Sequence, residues 1–476
     1  MNKNIYIGCE RVTGHRAASG ELRMANNTKE GVLIKTGFKL SAGRGKSCVV
    51  EEFLGGGGQG EVYKARIGRE SVALKWYFRQ TQKPELKNSI EELIKKGPPS
   101  DNFLWPRQII THGGDFGYTM GLRPPEYLKS QKLLDRTFSL GYRTAANACL
   151  QLADSFRKLH IKGLSYQDLN WGNLFINPAA GDILICDNDN VSAHGVSNAG
   201  IAGTYGFMAP EVVRGERLPD TYSDLFSMAV LMFRMLFIDH PFDGRRWVNT
   251  QAWDDIAKKK YYGEIPLFIF DPADDSNRPV RGVQDNAYLF WGLYPQFLRD
   301  TFTQVFTTGL KDRENGRLLE EDWIDVFRRL RESLFPCPYC GADIVYDAAA
   351  LKRNGKITCW KPKCRGYGNR LPIPPRLRIK AGSRERIVIL NADTKIYKYQ
   401  AVKSEPDLSA GGAVIGETAQ NPGDPAKWGL RNKSGDTWKY TTGGGETADV
   451  VPGKALSLAA NVKGIDFITA KAEIIF

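Results

Sequence analysis

The 476-residue sequence contains no run of eighteen apolar residues, so no membrane-spanning helix is expected. Its first residues lack the apolar segment of a secretory leader, and a cytoplasmic protein is expected. A basic block is also missing: the formal charge of +13 is spread along the chain. Such an excess can serve nucleic acid, an acidic protein or a membrane surface. Dispersed in this way it reads as a solvated surface, so neither nucleic acid nor membrane is an expected partner. A disulfide framework is lacking too. Of eight cysteines, four are scattered (Cys9, Cys48, Cys149, Cys186) and four cluster late, which suits a reducing compartment and one metal site.

What is present is an ordinary globular composition, 42% hydrophobic and 25% charged, in a chain long enough for roughly two to four domains. The chemistry concentrates in Ser165-Tyr166-Gln167-Asp168-Leu169-Asn170-Trp171-Gly172-Asn173, where an amide follows a carboxylate by five residues. The apolar run Ile183–Cys186 then delivers Asp187-Asn188-Asp189, fourteen residues after Asn173. Phosphoryl transfer from ATP needs a carboxylate to orient the acceptor hydroxyl, and an amide and a second carboxylate for the metal. A polar turn between a helix and a strand would look similar, so the rest of the chain has to decide.

Upstream, Gly55, Gly57, Gly58 and Gly60 lie in a loop that leads to Val62. Glycines let backbone N–H groups approach phosphate oxygens. In a dinucleotide-binding fold such a loop opens a helix. Here it runs into a second strand and then into Val72-Ala73-Leu74-Lys75, with the lysine fifteen residues after Gly60. Lys83–Lys96 reads as a helix with Ile90, Leu93 and Ile94 on one face. Short strands are expected at Val32–Ile34 and Cys48–Val50, and a buried helix at Thr144–His160.

The glycine hairpin, lysine strand, catalytic-type loop and second acidic motif, together with Gly203-Thr204 and Ala209-Pro210-Glu211, resemble the protein kinase family in order and type. The resemblance implies a bilobal fold, ATP, and Mg2+ or Mn2+. It implies Lys75 on the α/β-phosphates, Asp168 as base, and Asn173 and Asp187 as metal ligands. Gly55, Gly57, Gly58, Gly60, Val62, Met120 and the backbone of Gly121 and Arg123 would line the nucleotide site. A helix glutamate, Glu91 or Glu92 with Glu92 favoured, would pair with Lys75. Asp224 would support the catalytic loop, and Arg317 or Arg313 would pair with Glu211. Several family residues are replaced. Tyr166, Gln167 and Asn170 stand for His, Arg and Lys, and Asn188-Asp189 for Phe-Gly. Without the arginine that pairs with a phosphorylated loop, activity independent of such phosphorylation is expected. Asp189 gives either a second metal contact or a turn.

Cys337-x2-Cys340 and Cys359-x4-Cys364, with eighteen residues between the pairs, fit a closed tetrahedral structural zinc site in a small module without its own core. Pro372–Pro375 reads as a stiff linker. Beyond it, strands are expected at Leu377–Ile379, Arg386–Leu390, Ala413–Ile415, Thr437–Tyr440, Leu456–Leu458 and Asp466–Ile468. The segments Trp428–Ser434 and Val451–Leu456 faintly resemble the forkhead-associated fold, without its phosphothreonine-reading motifs.

The expected fold class is therefore multidomain α+β, with a flexible tail (1–30), two kinase lobes (31–123 and 124–334), a four-cysteine zinc ribbon (335–371) and an all-β sandwich (372–476). The whole is similar to bacterial Ser/Thr kinases of tellurite-resistance-linked stress systems. That likeness implies a protein substrate, a cognate Ser/Thr phosphatase and a von Willebrand A-type protein as partners.

Overall fold

The computed structural model describes residues 33–43, 45–194, 203–402, 412–459 and 461–476. The expected tail with Cys9, the strand residue Val32, and Ser197, a serine of the segment where a family kinase would be phosphorylated, lie outside them.

Six strands make a closed barrel: β1 Lys39–Ser41, β2 Ser47–Gly56, β3 Gly60–Ile67, β4 Glu70–Tyr77, β5 Gln108–His112 and β6 Asp115–Gly121, in the order β1-β2-β3-β4-β6-β5. Alternation turns Val50, Tyr63, Ala65, Val72 and Leu74 into its core. Leu33 and Ile34, expected in a strand, form a bend; their N–H groups donate to Glu61 Oε2 (3.0 Å) and the Tyr63 hydroxyl (3.0 Å). Helix α1, Pro84–Lys96, opens with proline in its first turn and ends at Gly97, whose φ is 66°. It buries Ile90 and Leu93.

The second lobe is built on α2 (Tyr142–Ile161) and α3 (Thr221–Phe237). Asp220 caps α3 in a capping box with Ser223, and almost every side chain from Ser223 to Phe237 is buried. It is thus the central helix of the largest core cluster, its Phe226, Phe233 and Phe237 packed against Phe302 and Phe306, with Trp323 and Phe327 in the same cluster. Between α2 and α3, β7 (Leu174–Ile176) and β8 (Ile183–Ile185) form a hairpin with Leu174 opposite Ile185. Glu211 receives a bidentate pair from Arg317, 2.8 Å at each oxygen. Arg313 reaches Asp220 and also stands 3.6 Å from Glu211 Oε1.

Beyond α4 (Glu320–Glu332), the four-cysteine segment is not coreless, as the sequence reading had it. Phe335, Ile344, Ile357 and Leu371 pack with Ile387 and Ile389 of the next unit. The proline segment is docked as well: Ile373 lies against the same cluster, and Pro375 accepts the Leu390 N–H at 2.9 Å.

Two antiparallel sheets follow, of six and four strands, and both supply one cluster that includes Leu377, Ile379, Ile396, Leu430 and Trp438. The strand expected at Asp466–Ile468 ends at Asp466. There the carboxylate accepts the Ile468 N–H (2.9 Å) and the chain turns with φ 76° at Ile468. Asp424–Asn432 and Lys471–Ile475, unforeseen, are strands.

Candidate active site

The β7–β8 hairpin explains how distant residues meet. Its register sets Asn173 beside Cys186, whose N–H donates to the Asn173 carbonyl at 3.0 Å. Asp187 is one residue further on. Asn173 Nδ2 donates to the Asp168 carbonyl (2.9 Å), which leaves its amide oxygen as a hard ligand beside the Asp187 carboxylate. That pairing suits a divalent cation with oxygen ligands. The loop carrying Asp168 hangs from α3: Asp224 accepts the N–H of Tyr166 (2.6 Å) and of Gln167 (3.0 Å).

Asp168 accepts the Thr204 hydroxyl at 2.8 Å, and Asn170 Nδ2 bridges Thr204 Oγ1 and the Asp168 carbonyl, both at 3.1 Å. Burial pushes the Asp168 carboxyl above its ordinary value, against these hydrogen bonds. A raised carboxyl is a better proton acceptor at neutral pH.

Lys75 comes from the opposite lobe. It lies in β4, and its Nζ stands 2.6 Å from Asp187 Oδ1 and 2.7 Å from Asp189 Oδ2. The ammonium is nearly buried, and although burial opposes the charge, the two carboxylates hold its pKa above the ordinary lysine value. Val62 is its cross-strand neighbour on β3, and Ala73, two residues earlier, faces Met120 on β6. Gly121 ends β6, and the Arg123 guanidinium folds over the Phe175 ring at 4.8 Å. The glycine loop is a hairpin tip closed by Gly57 N–H on the Gly60 carbonyl, 2.9 Å.

One expected residue is placed elsewhere. Glu92 points to solvent, 62% exposed, and pairs with Lys95 at 2.7 Å; neither it nor Glu91 bonds Lys75. The cause is helix phase: Ile90 and Leu93 take the buried face of α1 and turn Glu92 outward.

Asp189, expected as a second metal contact or a turn, lies in the 3-10 turn Asn188–Asn190, and its bond to Lys75 was not foreseen. Its side chain is fully buried, and both of its oxygens are taken by Lys75 Nζ. Burial would raise its pKa, but Lys75 and the Tyr77 hydroxyl hold it below the ordinary value. Tyr77, Tyr118 and Gln59 were not foreseen either. Gln59 sits on the glycine loop, 3.4 Å from Lys75 Nζ and 3.5 Å from Asn190 Oδ1. The alternation of β4 does put Tyr77 on the face of Lys75, a signal present in the sequence.

Gln167, in place of the family arginine, donates to the Ser192 hydroxyl. A neutral pair therefore ties the catalytic loop to the segment after Asp189, and Ser192 is too buried to be a phosphorylation site as it stands.

The four late cysteines converge, with all sulfurs within 4.8 Å of one another and Cys337–Cys364 and Cys340–Cys359 at 3.7 Å. A tetrahedron with Zn–S of ~2.3 Å has edges of about 3.8 Å. The donor set thus fits a thiophilic tetrahedral ion, and a disulfide would need about 2.05 Å.

A cleft between a β-barrel and a helical lobe receives a lysine from one side and two carboxylates and an amide from the other, an arrangement that suits a nucleotide's phosphates and a divalent cation. Residues 48–275 match the family model described as protein kinase domain. The chain is 24% identical over 330 residues to protein kinase YegI of Escherichia coli, covering 64% of this chain and 48% of that protein. It is 25% identical over 230 residues to Drosophila melanogaster mitogen-activated protein kinase kinase kinase 7, covering 46% of this chain and 32% of that protein. With human calcium/calmodulin-dependent protein kinase type IV the figures are 27% over 247 residues, 47% and 50%. Residues 48–275 thus resemble a protein kinase domain, and the chain spans half or less of the length of these relatives.

Proposed function

We propose that the protein is an ATP- and Mg2+-dependent Ser/Thr protein kinase whose C-terminal units dock partners. The observation that carries this is the 2.6 Å approach of Lys75 to Asp187 across the cleft, beside Asp168 and Asn173. In this reading Asp168 orients the acceptor hydroxyl and takes its proton as the oxygen bonds to the γ-phosphorus. The bond to the β–γ bridging oxygen breaks and ADP leaves. Lys75 steadies the α/β-phosphates, while Asn173 and Asp187 hold the metal, which when bound offsets phosphate charge. Thr204 and Asn170 keep Asp168 aimed. Gly55, Gly57, Gly58 and Gly60 cover the phosphates. Met120, with the backbone of Gly121 and Arg123, receives the base.

Cys337, Cys340, Cys359 and Cys364 hold a structural zinc, and the two C-terminal sheets form a forkhead-associated-like sandwich. The protein acts in the cytoplasm on a protein substrate, with a cognate Ser/Thr phosphatase and a von Willebrand A-type protein as partners. The second reading is a nucleotide-binding scaffold without transfer, favoured by Asn170 where the family has lysine.

The test is transfer from radiolabelled ATP to a co-purified partner. Asp168→Asn and Lys75→Ala should each still fold, with Lys75→Ala melting lower because it strands the buried Asp189 carboxylate, and each should lower transfer at least a hundredfold. Unchanged transfer in either sinks the assignment, and none in the wild type selects the scaffold.

A further inference from the structure

We propose that Asp189 is the positioning residue for Lys75, doing from the Asp-Asn-Asp segment what a glutamate of α1 was expected to do. The phosphate-facing ammonium is then set without help from that helix. This rests on the nucleotide-site reading above, which it extends.

The geometry is that of a built cage. Asp189 presents both oxygens to Lys75 Nζ, at 2.9 and 2.7 Å, and its side chain has no exposed surface. The Tyr77 hydroxyl donates to one oxygen and the Tyr118 hydroxyl to the other, the latter at 3.1 Å. These donors are not a chance gathering. Tyr77 lies two residues after Lys75 on the same face of β4, and Tyr118 is the cross-strand partner of Lys75 on β6. Three donors on one face of the barrel therefore converge on one carboxylate.

The segment that supplies it is equally fixed. Asn188 Nδ2 donates to the carbonyls of Leu104 (2.9 Å) and Ile185 (3.0 Å), and Asp187 takes a left-handed φ of 59°. The three residues divide the work. Asp187, its side chain 34% exposed, faces the cleft; Asn188 pins the turn to the other lobe; Asp189 points inward under Lys75. No glutamate of α1 reaches the lysine, since Glu92 is engaged with Lys95. A shift of α1, which in other kinases breaks the lysine–glutamate pair, would leave Lys75 anchored here.

The experiment measures affinity for ADP and for adenosine by titration calorimetry, in the full chain, because an anchor acting through Lys75 changes the preference for phosphate and a general loss of packing does not. Asp189→Asn should cut the ADP-over-adenosine preference at least fivefold, as Lys75→Ala does, with adenosine affinity unchanged. The double variant Tyr77→Phe/Tyr118→Phe should move the same way by a smaller factor, and it decides the matter if Asp189→Asn fails to fold. Glu91→Ala/Glu92→Ala should keep the full preference. A full preference in the Asp189 and tyrosine variants, or its loss in the glutamate variant, overturns the proposal. A wild type without any ADP preference overturns both this and the nucleotide-site reading. A wild type that prefers ADP but transfers no phosphate fails only as a kinase, and the same comparison still decides the anchor.

Discussion

Alanine at Gly60 would bring a Cβ to 2.2 Å from the Trp76 carbonyl oxygen, whereas at Gly57 or Gly58 it would meet nothing within 4 Å. Two glycines of one motif are thus needed for different reasons: Gly60 for the close approach of β3 to β4, Gly58 at most for a ligand. Gly60→Ala should cost about 2 kcal/mol or more of stability and lower the melting temperature. Gly58→Ala should leave the melting temperature in place and raise the KM for ATP. Equal melting temperatures for the two variants would refute the distinction. At this scale the sequence was legible for Lys75, Asp168, Asn173 and Asp187, because their spacing and flanking strands are local features. It was not legible for the partner of Lys75. The choice between Glu91, Glu92 and Asp189 depends on the phase of α1 and on how one lobe meets the other, which neither stretch encodes by itself.

Among the elements, α4 does the most unexpected work. At its first residue, Glu320 bonds His160 Nδ1, and His160 Nε2 lies 3.2 Å from Asp224, the carboxylate that suspends the catalytic loop. Burial disfavours the imidazolium, yet hydrogen bonds and charge from Asp224 and Glu320 raise the His160 pKa to about 9. The proton is therefore held more tightly in the folded chain than in the unfolded one, where the pKa is about 6.5. The stabilisation is complete below that value and is lost as pH rises towards 9. It amounts to about 3 kcal/mol. Urea midpoints should fall across that window in the wild type and stay nearly level in His160→Gln; parallel slopes would rule the linkage out. At its last residue α4 offers Glu332, which takes hydrogen bonds from Tyr399 (2.9 Å) and Gln400 (2.7 Å) and an ion pair with Arg386 (3.2 Å). The amphipathic period of such a helix is visible in sequence, but which charged residues it turns inward is settled by the partners that enclose them.

For the molecule as a whole, the cysteine unit is more than an appendage. Asp343 Oδ2 accepts the Arg143 N–H at the start of α2 (3.2 Å), and Asp347 Oδ2 accepts the Gln296 N–H at the start of the helix Gln296–Lys311 (3.0 Å). Carboxylates at helix N-termini are favourable by up to about 1 kcal/mol each, and Trp360 adds an edge contact to Tyr142. If the four cysteines hold zinc as proposed, a chelator should therefore lower the melting temperature of the two lobes, as well as expose 337–364 to protease, while ADP still binds. A melting curve indifferent to chelation, with one zinc released per chain, would show the lobes to be independent of it. The sequence alone determined the barrel-then-helix pattern, the cysteine cluster and which of Lys75, Asp168, Asn173 and Asp187 to look for in one place, because each rests on local periodicity or close spacing. Only the tertiary structure decided that Asp189 holds Lys75, that Glu92 faces water and that the cysteine unit shares its core with its neighbour. Those outcomes depend on desolvation and pairing between residues far apart in the chain, and such terms have no value until the elements are packed together.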